Sequence, residues 1–267
     1  MNDESKTTPL LNRRHVALGL TFGALTPMPA LARGSKTVGK IFVSLADNKN
    51  QGIVPIPKQL GNGQSARTNL YWGALFGMKT YFKKRSNWTV TSNPPTSAHI
   101  RDAFALTRID TPSQSFSVEA WDGAQQKKTV EQFYKALLDE DKNLGFVAFI
   151  GHNALMDIDI PIGMCDKNSR RPMCKSMGAI NNKPIDRKAS VLACHSASYF
   201  TPFIEKAGVD PYVMTYGLMA PEAYSMEGIL NAWLDGQDAT TARQRAAAQY
   251  AKFQKIPLRN AQRLFGL

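Results

Sequence analysis

The amino-acid sequence predicts an α/β fold of three layers, a mainly parallel sheet with helices on both faces. Two observations lead there. Three runs, Lys40-Ile-Phe-Val-Ser-Leu45, Phe146-Val-Ala-Phe-Ile150 and Ser190-Val-Leu-Ala-Cys194, are short, largely apolar and bounded by turn-forming or polar residues, the pattern of strands buried on both faces. Between and after them lie segments with apolar residues at helical spacing, and alternation of strand and helix implies parallel pairing. The chain has 267 residues, 43% of them apolar and 20% charged, enough material for a substantial core. No repeat and no second domain emerge, so residues 33–267 read as one α/β domain, its core about 40–217 and its C-terminal helices about 220–255.

The elements follow in order. Lys40–Leu45 is the first strand, and the Gly-, Pro- and Asn-rich stretch from Asn50 to Asn69 is a long loop at its C-terminal end. Gly61-Asn62-Gly63 in that loop lacks the following residues of a phosphate-binding motif and reads as a turn. Leu70, Trp72, Leu75, Phe76, Met78 and Phe82 predict an amphipathic helix over 70–84, with Gly73 and Gly77 allowing close packing. Trp88–Thr91 is a short strand, Asn93-Pro94-Pro95 a turn, and Phe116–Trp121 an alternating strand. Thr129 is placed as the cap of a helix carrying Val130, Phe133, Tyr134, Leu137 and Leu138. After Cys194, Ser196 or Ser198 is read as the cap of a helix with Pro202 in its first turn. A strand at Tyr212–Gly217 and helices at 222–234 and 240–255 complete the order.

The first 32 residues read as an export signal and not as part of the fold. Arg13-Arg14 precede a short apolar run that ends in Ala30-Leu31-Ala32, which resembles a bacterial twin-arginine signal cleaved after Ala32. Pro27 and Pro29 interrupt the run, which is shorter than the roughly 20 residues a spanning helix needs. The expected location is therefore the periplasm or the medium, with no membrane span after signal removal.

The net charge of +12 favours acidic partners. The basic residues are scattered, however, with short clusters only at Lys83-Lys84-Arg85 and Arg170-Arg171, and no nucleic-acid-binding motif accompanies them; nucleic acid is not the expected partner. Of the three cysteines, Cys165 and Cys174 bracket a polar loop that a disulfide would close in an oxidising compartment. That pairing leaves Cys194 as the free thiol.

Two of the apolar runs release reactive side chains at their C-terminal ends, Gly151-His152-Asn153 after the first and Cys194-His195 after the second. In an open parallel sheet that end is where ligands bind, so a base would stand beside a nucleophile. An apolar run with histidine, followed about forty residues later by an apolar run ending Ala-Cys, resembles the caspase-like cysteine peptidases, which include caspases, legumains, gingipains and clostripain. The resemblance implies His152 as general base and acid, Cys194 as nucleophile, and backbone N–H groups near Gly151 or Cys194 as oxyanion donors. The family's glycine after the histidine is Asn153 here, which either narrows the cleft or supplies a hydrogen bond.

A helix N-terminus after Cys194 and an imidazole beside it are the two features that lower a thiol's pKa from about 8.5. Strand alternation points His195 away from Cys194, toward a structural or supporting role. Asp157 and Asp159 are candidates to orient His152, with Asp47 and Glu119 as candidates for the pocket rim. A metal held by His152, Cys194, His195 and either Asp157 or Asp159 is the lesser reading, and no metal or cofactor is predicted. The expected function is an exported cysteine hydrolase acting on a peptide or small-molecule substrate. The alternative is a non-catalytic ligand-binding module using a pocket around Gly61, His152 and Gly217.

Overall fold

The computed structural model describes residues 35–157 and 184–267. The proposed signal, Asp159 and the Cys165–Cys174 pair lie outside the described residues. Seven strands form one mixed sheet: β1 (Lys36–Ser44), β2 (Trp88–Asn93), β3 (Ile100–Arg108), β4 (Gln114–Trp121), β5 (Phe146–Ile150), β6 (Lys188–Leu192) and β7 (Asp210–Val213). Their spatial order is β2-β3-β4-β1-β5-β6-β7. Strands β4, β1, β5, β6 and β7 run parallel, and β3 and β2 extend the sheet by antiparallel pairing beyond β4. The described helices are α1 (Met78–Lys83), α2 (Gln126–Leu137), α3 (Ala154–Asp157), α4 (Ser196–Lys206), α5 (Ala223–Leu234), α6 (Ala239–Gln254) and α7 (Leu258–Leu264).

Alternation along the strands divides the core into two apolar layers. Ile41, Val43, Phe116, Val118, Phe146, Ala148 and Ile150 face a layer completed by α1, α5, α6 and α7. Phe42, Val147, Phe149, Ala189 and Val191 face the layer of α2 and α4, where Phe133, Phe149 and Phe200 meet with ring centroids 5.7–6.1 Å apart. Each such ring, fully buried, contributes about 1.5–3 kcal/mol. The expected three-layer α/β architecture with a mainly parallel sheet is the one observed.

Several local expectations are corrected. The helix foreseen over 70–84 is confined to α1, because residues 69–77 fold into successive turns. Asn69 organises them: its Oδ1 accepts from the N–H groups of Ala46 and Tyr71, and its Nδ2 donates to the carbonyls of Ala46 and Asn62. Gly73 is needed there, since a Cβ would stand 2.0 Å from the Arg67 carbonyl oxygen. Strand β3 was not foreseen. Its charged residues mask the pattern, yet Asp102 is held from the covered side by Lys79 at 2.6 Å and by Trp72 Nε1 at 2.8 Å.

Thr129 lies inside α2, where its hydroxyl donates to the Gln125 carbonyl. The entry is instead made by Asp122, which accepts from Ala124 N–H ahead of a 3₁₀ turn at Gly123–Gln125. Pro202 is inside α4, not in its first turn, and no side chain caps that helix. The strand read to Gly217 ends at Val213, and α7 adds a helix beyond 255. Gly61 and Gly63 pack onto Asn48 and Asp47 as a plain turn.

Arg187, unremarked in the sequence, joins the layers. Its guanidinium donates to five backbone carbonyls, those of Ala136, Leu137, Asp139, Asp141 and Leu144, at 2.6–3.1 Å. The carbonyls at the C-terminus of α2 and in the turn before β5 thus find donors on the residue that leads into β6. Burial pushes this arginine's pKa down, against the pull of Asp139 and Asp141.

Candidate active site

Strands β1 and β5 are neighbours in space, and the strands that follow them lie to opposite sides, β2, β3 and β4 beyond β1 and β6 and β7 beyond β5. Ligand crevices of doubly wound sheets form at such a reversal, outside the carboxyl ends of the strands. His152 emerges two residues beyond the end of β5 and Cys194 two residues beyond the end of β6. The two strands pair in a constant register, Phe146↔Lys188 through Ile150↔Leu192. Continued for two residues, that offset sets position 152 opposite position 194. Neighbouring strands stand about 4.8 Å apart.

Past the last ladder pair the two chains turn differently. Gly151 takes φ 152°, and a Cβ there would lie 2.9 Å from both Cβ and O of Ser44, so the bend after β5 requires glycine. Its N–H donates to the Leu192 carbonyl at 3.2 Å. Gly151 is therefore corrected as an oxyanion donor, because the ladder already engages its only N–H. The bend carries His152 to Asp157: Nε2–H donates to the two carboxylate oxygens at 2.8 and 2.9 Å, which leaves Nδ1 as the acceptor nitrogen. Asp157 Oδ2 also accepts from the Gly52 N–H in the loop after β1, at 3.3 Å. Gln126 holds the backbone of the same turn, donating to the His152 carbonyl at 2.8 Å.

Asn153 is fully buried and ties the two turns together. Its Nδ2 donates to the Cys194 carbonyl at 2.7 Å and its Oδ1 accepts from Leu155 N–H at 3.0 Å.

On the other strand, β6 ends at Leu192, so strand alternation does not reach residues 194 and 195. Cys194 lies in a turn, and His195 precedes the first residue of α4 with φ 51°, a left-handed conformation that costs a non-glycine residue about 1 kcal/mol or more. Its N–H donates to the Gly217 carbonyl. The side of His195 is thus set by that turn and not by alternation. Cys194 Sγ is half-buried and clasped by the backbone of one residue: Met219 N–H donates to it at 3.4 Å, and the thiol donates to the Met219 carbonyl at 3.7 Å.

Tyr71 and Tyr250 belong to the apolar layer beside this turn, where the Tyr250 hydroxyl accepts from the Ala220 N–H next to Met219. Burial raises the pKa of both phenols, with further increments from Cys194 and Glu222, and burial likewise raises that of Glu222, whose carboxylate accepts from Tyr224 OH at 2.6 Å. Neither Met219 nor Gln126 carries a motif in the sequence. They reach the site through turns and helices remote in the chain.

Asp47 is buried in the turn after β1, accepting from the N–H groups of Lys49 and Asn50 and from Asn50 Nδ2. Glu119 is mid-strand on β4, away from the edge. A cavity of about 510 Å³ opens beside Asp157, Asn50 and Gln126, with the first turns of α2 on its wall. Among the described residues no group of three His, Cys, Asp or Glu is placed to hold a metal ion. Nor is any described helix long and apolar enough to cross a membrane.

No family model, curated protein or solved structure matches this chain.

Proposed function

We propose that this chain is an exported cysteine hydrolase on a caspase-like sheet, cleaving an amide or peptide bond with Cys194 as nucleophile and His152 as general base, oriented by Asp157. The observation that supports this reading is that the turns bearing His152 and Cys194 leave paired strands at the carboxyl edge, beside the sheet's reversal point, and are tied by the Asn153 Nδ2 bond to the Cys194 carbonyl. Asp157 fixes the imidazole through Nε2 and leaves Nδ1 to take the thiol proton. The thiolate then attacks the carbonyl carbon, and the imidazolium returns the proton to the departing amine. Water, deprotonated by His152, hydrolyses the thioester and restores the thiol. The start of α4, directly after Cys194, adds a positive potential that favours thiolate. For attack the thiol turns out of the Met219 clasp toward His152.

The non-catalytic binding module is the second reading, favoured by the clasp itself and by a cavity whose wall includes Asp157 but not Cys194. One experiment separates them: iodoacetamide labelling of Cys194 against pH in a Cys165→Ser/Cys174→Ser background, repeated with His152→Ala. The hydrolase reading expects half-maximal labelling below about pH 8.5 and a return toward that value in the variant. Slow labelling at every pH, unchanged by the variant, sinks it and leaves the binding module. Export is tested separately by the N-terminus of protein recovered from the periplasm, expected at Arg33.

A further inference from the structure

A second cavity, of about 490 Å³, lies on the face of β1, β4 and β3 beside α2, reaching from the middle of the sheet to the carboxyl end of β4. Its volume is in the range of small-molecule sites. One wall is a polar stripe of α2, Lys128, Gln132 and Lys135, at the i, i+4, i+7 spacing that sets side chains on one helix face. Its floor is β4, where Ser117 and Glu119 point to the same side.

The charges in this trench are unevenly answered. Lys40 is paired with Asp139 at 2.8 Å. Lys128 lies against His99 Nε2, also at 2.8 Å; an ammonium has only donors, so the imidazole accepts. Neither Lys128 nor Lys135 has a carboxylate within ion-pair distance among the described residues. Glu119 accepts from Trp121 Nε1 on one oxygen, Oε2, at 3.0 Å, and its other oxygen has no partner among the described residues. Burial raises the Glu119 pKa, against the opposing effects of Trp121 and Lys40. The trench therefore offers an unanswered cationic wall opposite a sheltered acceptor and a hydroxyl.

We propose that this trench binds a small polyhydroxylated anion, a sugar acid or a sugar phosphate, with its anionic group on Lys128 and Lys135 and its hydroxyls on Glu119 and Ser117. The wall supplies charge-assisted donors to the anion, and the floor supplies acceptors that a simple anion would leave unused. The site is independent of the hydrolase reading, because none of its residues belongs to the turns bearing His152 and Cys194.

Isothermal titration of the full chain with glucuronate, glucose 6-phosphate, glucose and inorganic phosphate tests it. Saturable binding of glucuronate or glucose 6-phosphate, at least about tenfold tighter than of glucose or phosphate, is expected, a difference of about 1.4 kcal/mol. The acid that binds identifies the anionic group, and binding of both assigns the shared chemistry. Lys128→Ala/Lys135→Ala should abolish the preference, Glu119→Gln should weaken sugar binding severalfold, and Lys252→Ala, on the surface of α6, should change neither. Equal or absent binding of all four compounds, or a preference that survives loss of both lysines, overturns the proposal.

Discussion

The two halves of the sheet do different work. In the half formed by β5, β6 and β7, both faces are covered by helices, every residue of β5 is buried, and what the strands offer to solvent is their carboxyl edge. In the other half, β4, β3 and β2, the alternation of Ser117, Glu119 and Trp121 with Phe116, Val118 and Ala120 buries one face under α1 and the C-terminal helices. Among the described residues, α2 is the helix that flanks the opposite face. A strand covered twice can present function only at its end, whereas a strand covered once can present it along its length. The polar groups left accessible differ accordingly: the His152 and Cys194 turns on one half, the Glu119 trench on the other.

The largest effect that would break this arrangement is expected at Arg187, because one guanidinium serves five carbonyls of α2 and the turn before β5. Arg187→Ala should cost about 3 kcal/mol or more in urea unfolding, since it leaves buried acceptors without donors. It should loosen the packing of α2 on the parallel half while β2 and β3 keep their amide-exchange protection. Equal loss of protection across the sheet would mean that the two halves are one cooperative unit.

Gly151→Ala comes next. The bend after β5 sits at φ 152° and the new methyl would press on Ser44, so a destabilisation of about 1–3 kcal/mol is expected. Displacement of His152 should follow, visible as a changed imidazole NMR shift. An unaltered imidazole resonance would show that Asp157, and not the bend, fixes the ring.

The smallest effect belongs to the open-faced half. Burial raises the Glu119 pKa in the folded protein, so between the unfolded and folded values the native state holds a proton that the unfolded chain has released. Stability contributed by this group is therefore fully present below its unfolded value and is lost as pH rises through the folded one. Glu119→Gln should raise the Tm slightly at about pH 7 and leave it unchanged near about pH 4. A lowered Tm at neutral pH would mean that the ionised carboxylate is stabilising as it stands.

The legibility of the sequence differed between the same two halves. Strands β1, β5 and β6 are apolar runs whose burial on both faces depends on no particular partner, and they were readable with the residues that follow them. Strand β3 was not, because its half-buried Asp102 and buried Arg108 are answered by Lys79, Trp72 and Asp235, which sit far away in the chain. The predicted helix over 70–84 failed for a related reason: its apolar periodicity is real, but Asn69 and the close approach at Gly73 favour turns.

Of the candidate site, the sequence by itself determined which side chains end adjacent strands and that forty-two residues separate His152 from Cys194, because a buried apolar run is a local property. The tertiary structure decided that this spacing equals the β5/β6 register. It also decided that Asp157 takes the imidazole, that Asn153 bridges to the Cys194 carbonyl and that Met219 clasps the thiol. The trench of Lys128, Lys135 and Glu119 was likewise a tertiary product. Hydrogen bonds and charge pairs between remote segments depend on where packing leaves them, and a single strand's pattern holds no record of its neighbour.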